Sequence, residues 1–159
     1  MSDVFTKSVL VRKVTLQFTH IDSQISETLQ GEIARDIEGK CIDEGYVKKN
    51  SVSILEYSSG TVAGNNVVFR AVVECMIFLP AIGLLLDCIV KNNTSAGIMA
   101  ESSKKDDKNI PFVLFVARDY AYDDERFNSL KKDDIFVAEV QSFRFEINDS
   151  EISILGNIK

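Results

Sequence analysis

Few side chains in this sequence could carry out catalysis, and those that could are scattered along the chain. The single histidine, His20, precedes a predicted helix, where a capping or surface role fits better than a general base. Acidic clusters at 106–107, 123–125 and 133–134 are interleaved with lysine and arginine, whereas a hard cation needs several converging oxygen ligands. The sequence contains no P-loop, dinucleotide fingerprint, zinc spacing or nucleophile elbow. We therefore expect a protein that is not an enzyme and has no metal site and no cofactor.

The three cysteines, Cys41, Cys75 and Cys88, are widely spaced and each lies in or beside an apolar run. Such a pattern predicts buried, reduced thiols in an intracellular compartment. The first residues lack the basic and apolar regions of a secretory signal, and the longest apolar runs are too short to span a bilayer. We expect no membrane partner.

Binding of single-stranded nucleic acid is the chemistry that the remaining side chains favour, because it combines cationic groups with stacking rings. The net charge of −6 argues only against tight, charge-driven binding to duplex DNA. Phe112 and Phe115 alternate in an apolar strand, which is more typical of a core, whereas Tyr120 and Tyr122 lie in a polar stretch. The candidate RNA-binding residues are Lys91, Lys104, Lys105, Lys108, Arg118, Tyr120, Tyr122 and Arg144.

The elements that would position these residues begin with a strand and a helix. Residues 8–18 alternate apolar and polar side chains and predict a strand. Residues 19–22 match a capping box, and isoleucine or leucine recurs every fourth residue from Ile21 to Ile37, which predicts a helix over 21–38. Gly39 is a suitable residue to stop that helix.

Strands dominate the rest of the N-terminal half. Residues 40–47, interrupted near 43–45, and residues 51–57 predict short strands, with turns on both sides of 61–62. Residues 67–79 predict a long strand that is apolar on both faces, which is typical of a central strand covered on both sides. Pro80 and Gly83 then interrupt the pattern without a flexible linker.

The C-terminal half predicts five strands, at 83–91, 96–101, 110–117, 135–147 and 151–158, with a short helix near 123–130. Phe136, Val140 and Ile147 are expected on one face of the fourth strand. The longest interruption falls between the third and fourth strands, which is the plan of an OB-fold barrel. The predicted class is therefore α+β. An N-terminal domain of strand, helix and antiparallel sheet, residues 1–79, packs rigidly on a C-terminal five-stranded OB barrel, residues 80–159.

An ordered set of short motifs runs through both halves. It comprises Ile-Glu-Gly-Lys-Cys at 37–41, Gly-Tyr-Val at 45–47, Val-Phe-Arg-Ala-Val-Val at 68–73, Phe-Leu-Pro at 78–80 with Gly83, Ala-Gly-Ile at 96–98 and the isoleucine-rich end at 152–159. In this order the chain resembles the stalk subunits of RNA polymerase, the family of the seventh subunit of eukaryotic RNA polymerase II and of its archaeal counterpart. Residues 41–57 also resemble the versions carried by large DNA viruses. The chain is shorter than cellular members of the family, and its loop at 102–109 is short.

The resemblance implies a non-catalytic stalk subunit whose N-terminal domain docks on the polymerase core and whose S1-like OB barrel meets nascent single-stranded RNA or initiation factors. It further implies a smaller stalk partner and a location at the site of transcription, in the nucleus or, for a viral version, in the viral factory, the virion or the host cytoplasm. Ile98 stands where S1 domains often carry an aromatic residue, so we expect weak, salt-sensitive RNA contact. The implied docking residues are Cys41, Gly45, Tyr46, Lys48, Lys49, Tyr57, Thr61 and Gly64.

Two other interpretations stay open at this point. A free-standing S1-type protein that binds single-stranded RNA in translation or decay would need a basic groove and stacking rings, which the net charge and Ile98 favour less. A small β-barrel enzyme would need a catalytic constellation, and none is visible in the sequence.

Overall fold

The computed structural model describes residues 4–103, 110–120 and 125–159, with only the backbone of Tyr120. It divides the chain into two compact units, Met1–Phe78 and Leu79–Lys159. The predicted boundary, between residues 79 and 80, lies one residue from this division. The class is mixed α+β, and most elements are strands.

Unit 1 is one six-stranded sheet with one α-helix. The long strand β6 is its organising element, because β1, β3, β4 and β5 all pair with it and β2 pairs with β3. The elements are β1 (Thr6–Gln17), a 3₁₀ turn (Phe18–His20), α1 (Ile25–Ile37), β2 (Cys41–Ile42), β3 (Gly45–Val47), β4 (Ser53–Tyr57), β5 (Thr61–Ala63) and β6 (Asn66–Phe78).

The predicted start of the helix is wrong by four residues. The N-terminal cap position of α1 is Gln24, no side chain caps it, and the predicted capping box at 19–22 does not form. Instead the Gln24 N–H donates to Asp22 Oδ1 at 2.9 Å, a local bond that competes with helix formation and delays its start. The end is as predicted, since Gly39 follows the helix with a left-handed φ of 73°.

The core of unit 1 lies between α1 and one face of the sheet. The apolar stripe of α1, Leu29, Ile33 and Ile37, covers alternate residues of β1 and β6. Every second residue of β6 from Val67 to Ile77 is buried, whereas the residues between them are half-buried and Arg70 is exposed. The prediction that both faces of this strand are covered is therefore wrong, and its second face is partly open to solvent.

Unit 2 is a closed five-stranded barrel with the strand order β10-β11-β9-β8-β7, and it is consistent with an OB-like barrel. β9 and β11 are parallel, and the other neighbours are antiparallel. The number and order of the predicted strands are confirmed. The elements are β7 (Leu85–Asn93), β8 (Gly97–Ser102), β9 (Phe112–Ala117), a 3₁₀ turn (Arg118–Tyr120), α2 (Glu125–Ser129), β10 (Ile135–Arg144) and β11 (Ile152–Ile158).

Alternate residues of each strand fill the barrel, and this pattern corrects two expectations. Ile98 is fully buried inside the barrel, so its identity carries no information about an RNA-binding surface. Ile147 was expected to share a face with Phe136 and Val140, which are buried, but β10 ends at Arg144 and Ile147 is 60% exposed. A bulge after Val140 shifts the register of β10, which an alternation rule cannot anticipate.

Candidate nucleic-acid interface

A row of apolar side chains crosses the outside of the barrel. Met99 on β8 lies opposite Phe115 on β9, and Phe115 lies opposite Leu155 on β11. Met99 is 43% exposed, Leu155 is exposed and Phe115 is half-buried. We call Met99, Phe115 and Leu155 the outer row. β8 and β9 are the second and third strands of the barrel, and that face binds oligonucleotides in OB folds.

Gly97 allows the ring of Phe115 to lie against the backbone of β8. A Cβ atom at this position would lie 2.8 Å from Cζ of Phe115 and would collide with the carbonyl oxygen of Val116. Only glycine therefore fits where the two strands approach this closely. Phe115 was assigned to the core from the sequence together with Phe112. Phe112 is buried there, but Phe115 is three residues further and faces outward.

A second aromatic feature lies where β10 ends. The rings of Phe143 and Phe145 are stacked, with centroids 6.4 Å apart and planes at 10°. Both are half-buried, and Arg144 between them is exposed. These two rings were not singled out as a site from the sequence. The loop that follows joins the fourth and fifth strands, one of the loops through which OB folds hold ligands.

The predicted cations of the barrel are only partly available for binding. Lys91 Nζ is paired with Glu101 Oε1 at 2.9 Å, an exposed pair that contributes little to stability. Arg144 has no ion pair among the described residues. The predicted residues Lys104, Lys105, Lys108 and Tyr122 lie outside the described residues, and of Tyr120 only the backbone is described.

Arg118, also predicted to bind RNA, is engaged within the barrel. Its guanidinium donates to the carbonyl oxygen of Thr94 at 3.0 Å and lies over the ring of Phe127, 4.9 Å from the centroid. A longer bond of 3.4 Å runs from the guanidinium to Oδ1 of Asn93, and Nδ2 of Asn93 donates to the carbonyl oxygen of Leu130. These contacts link the connection between β9 and β10 to the turn between β7 and β8. They indicate a structural role for Arg118.

Three of the implied docking residues are buried in unit 1. Cys41, Gly45 and Tyr46 belong to the β2–β3 hairpin, and all three are inaccessible to a partner. Burial raises the pKa of the Tyr46 phenol, and the nearby Cys41 adds to the rise. The prediction that these three residues contact a partner is therefore wrong. The hairpin is short, and its side chains pack into the core. Lys48 is half-buried over the ring of Phe5, 5.1 Å from its centroid, and Lys49 is exposed.

The other implied docking residues, Tyr57, Thr61 and Gly64, are exposed along β4, β5 and the turn that follows. Two apolar residues beside them were missed from the sequence: Leu55 is 52% exposed and Val62 is 65% exposed. The signal for Val62 was available, since an isolated apolar residue lay between two turn sequences. We call Leu55, Tyr57 and Val62 the β4–β5 patch. β4 and β5 pair with successive stretches of β6, at 71–74 and 66–68, so these exposed apolar side chains follow one another along one edge of that strand. Exposed apolar side chains on one edge are typical of a contact surface.

Comparison with known proteins gives no further guide to the site: no model of a protein family matches the chain, and no curated protein matches its sequence. Within the described ranges, no cluster of His, Cys, Asp and Glu is placed to hold a metal ion. None of the helices in the described part of the chain is long and apolar enough to cross a membrane.

Proposed function

We propose that this chain is a non-catalytic stalk subunit of a multisubunit DNA-directed RNA polymerase. The observation that carries the proposal is the order of elements: a strand, a helix and an antiparallel sheet precede a closed five-stranded barrel whose longest interruption follows its third strand. That order is the one that the resemblance implies for the stalk family. On this proposal the barrel is of the S1 type, and the protein acts at the site of transcription beside a smaller stalk partner.

Unit 1 docks on the polymerase core through the β4–β5 patch, with Thr61 beside Val62 on β5. Exposure supports this assignment, because an apolar side chain contributes to association only if binding removes it from water. Leu55 and Val62 meet this condition, whereas Tyr46 and Cys41 do not.

Unit 2 contacts nascent single-stranded RNA or initiation factors. The outer row and the Phe143–Phe145 stack supply apolar and aromatic surface, on which bases of any sequence can lie. Of the candidate RNA-binding cations that the structure describes, Lys91 is paired and Arg118 is engaged, which leaves Arg144. Binding should therefore be weak and independent of sequence, and it should weaken further as salt rises.

The direct test is affinity purification of the tagged full chain from cells of its source, with the bound proteins identified by mass spectrometry. We expect the large subunits of an RNA polymerase with the wild-type chain, and their loss when Val62→Asp is combined with Leu55→Asp. The charge-matched control combines Asn50→Asp with Ser23→Asp, both on exposed turns of the same unit, and should retain them. Retention of the polymerase by the double variant would reject the assigned docking surface.

The alternative is a free-standing S1-type protein that binds single-stranded RNA in translation or decay. The Phe143–Phe145 stack favours it, because a ring pair at a loop of an OB-like barrel needs no polymerase to bind RNA. The same purification separates the two proposals. Ribosomal or RNA-decay proteins without polymerase subunits would support the alternative and overturn the stalk proposal.

A further inference from the structure

A groove of about 670 Å³ opens in unit 1 between β1 and α1. One wall consists of the five consecutive residues 11–15 of β1, and the other of Glu32, Ile33, Asp36 and Ile37 of α1, continued by Lys40. Successive residues of a strand point to opposite faces of the sheet. A wall made of five consecutive residues therefore runs along the edge of β1 rather than over one of its faces. We call this cavity the β1–α1 groove.

The edge that lines the groove has no strand beside it. β1 is the first strand in the sheet order and, among the described strands, pairs only with β6. It is 12 residues long and carries no proline. A long strand of this kind presents a row of backbone donors and acceptors that another extended chain can pair with. The helix opposite gives that added chain a second wall, as in other sites where a peptide adds to a sheet edge.

The groove is cationic although the whole chain has a net charge of −6. Four cations, Arg12, Lys13, Arg35 and Lys40, line it with only two acidic residues. Arg35 is paired with Glu32 at 3.0 Å, and Arg12 approaches Glu44 at 3.6 Å. Lys13 and Lys40 have no ion pair within the part of the chain that the structure describes. These two lysines are the charges available to a ligand.

Arg12 is the unusual member of the set. Its position on β1 lies between those of Leu10 and Val14, on the face that α1 covers. Its Nε is buried and has no hydrogen-bond partner among the described residues. Leaving a buried donor unsatisfied costs free energy, which an acceptor that came within reach of it would recover.

We propose that the β1–α1 groove binds an acidic segment of a partner protein, in extended conformation, as an added strand on β1. The backbone of the segment pairs with the edge at 11–15, and its carboxylates meet Lys13 and Lys40. This inference does not depend on the polymerase proposal, because it rests on the geometry and charge of unit 1 alone.

Two other occupants fit the groove less well. A second copy of this chain would pair β1 with β1, but β1 carries Lys7, Arg12 and Lys13 and no acidic residue, so like charges would face each other. Single-stranded RNA binds by stacking on rings as well as by charge. None of the residues that line the groove is aromatic.

The test measures fluorescence anisotropy of the full chain with a labelled peptide of about eight residues in which valine alternates with aspartate or glutamate. We expect saturable binding at low salt, and no binding of the same peptide with lysine in place of the acids. The variant Lys13→Glu with Lys40→Glu should weaken binding at least about tenfold. Lys131→Glu with Lys132→Glu, two exposed residues of unit 2, is the charge-matched control and should leave the affinity unchanged.

Backbone pairing is tested separately with the acidic peptide methylated at alternate amide nitrogens, which removes its donors but keeps its charge. We expect this peptide to lose binding, and the unmethylated one to slow amide hydrogen exchange at residues 11–15. Equal binding of the methylated peptide would overturn the added-strand geometry. Equal competition by inorganic phosphate or by single-stranded RNA would overturn a peptide site. A dimer that the peptide dissociates would assign the edge to a second copy.

Discussion

The ring of Tyr46 belongs to the core of unit 1, where the residue is only 8% exposed. Replacing it with alanine removes a buried aromatic ring and leaves a cavity, which costs about 3 kcal/mol or more of unfolding free energy. Tyr46→Phe keeps the ring and should cost much less. Urea unfolding followed by circular dichroism checks both variants. Loss of polymerase binding by Tyr46→Ala would then report unfolding, and an unchanged urea midpoint for that variant would contradict the burial.

Cys88 gives the barrel a dependence on alkaline pH. Burial raises the pKa of its thiol to about 12, the neighbouring Asp87 adds to the rise, and a hydrogen bond from the backbone of Ala138 lowers it. An unfolded chain ionises this thiol at lower pH than the folded barrel does. The contribution to stability is therefore complete below the unfolded pKa of about 9 and is lost as the pH rises toward the folded value.

The measurement compares the free energy of unfolding of the wild type and Cys88→Ala near neutral pH and at about pH 10, above the unfolded thiol pKa. The advantage of the wild type should shrink as the pH rises. Because the thiol is buried and protonated, it should also resist an aromatic disulfide reagent at neutral pH until the protein unfolds. Rapid modification of Cys88 in the native protein would contradict this.

Single residues also show where sequence reasoning reaches its limit. Alternation identified Phe112 as core, because the face of a strand residue follows from its parity. The same rule places Phe115, three residues further along, on the opposite face, but both rings were assigned to the core because the whole run is apolar. Ile98 was placed at the RNA-binding surface by the resemblance to S1 domains and not by alternation. The engagement of Arg118 could not be predicted either, since its partners Thr94 and Phe127 are distant in sequence.

At the scale of elements, replacing glycine with alanine is expected to have opposite effects on stability at two positions. Gly31 lies within α1, and a Cβ atom there would have nothing within 4 Å. Gly31→Ala should therefore stabilise unit 1 by about 0.5–1 kcal/mol, because alanine loses less backbone entropy in a helix. Gly97→Ala should destabilise the barrel, because its methyl group would meet the carbonyl of Val116. Thermal and urea unfolding of the two variants check the signs, and a stabilising Gly97→Ala would contradict the close approach of β8 and β9.

The connection between β9 and β10 depends on Arg118. Arg118→Ala removes a charge-assisted bond to Thr94 and the contact with the ring of Phe127, which together are worth about 2 kcal/mol. We expect faster hydrogen exchange at residues 94–97 and a lower urea midpoint, with little change in RNA affinity measured under native conditions. Lys132→Ala is the control for loss of an exposed cation. A variant that unfolds like the wild type but loses RNA binding would restore Arg118 to the binding site.

The elements themselves were largely predictable, because strands and helices differ in the period of their apolar residues. Their ends were not. The start of α1 was missed because Asp22 forms a local bond outside the helix. The end of β10 was missed because the turn at 146–149 begins early, with the Glu146 N–H donating to Asp149 Oδ2. Both are set by single hydrogen bonds, which leave no periodic trace in the sequence.

In the whole molecule, segments that are distant in sequence come together, and no local sequence pattern predicts these contacts. The parallel pairing of β11 with β9 closes the barrel, and the β1–α1 groove joins residues 11–15 to residues 32–40. The order of strands could suggest a barrel, but the outer row and the groove required the register. For that reason the proposed surfaces include residues that were not singled out in the sequence. The architecture of unit 2, in contrast, agrees with the one predicted from the sequence.

Docking and RNA contact are assigned to surfaces of different units, so their variants should be separable. Val62→Asp with Leu55→Asp should reduce polymerase co-purification at least about tenfold while the affinity for labelled single-stranded RNA is retained. Arg144→Glu should do the reverse, with a weaker RNA affinity and a salt dependence whose slope falls by about one, because one phosphate contact is lost. Sites without shared contacts have additive effects, so the combined variant should show both losses and no more. If Arg144→Glu alone also released the polymerase, RNA contact and docking would have to share a surface, and the division of labour between the two units would be wrong.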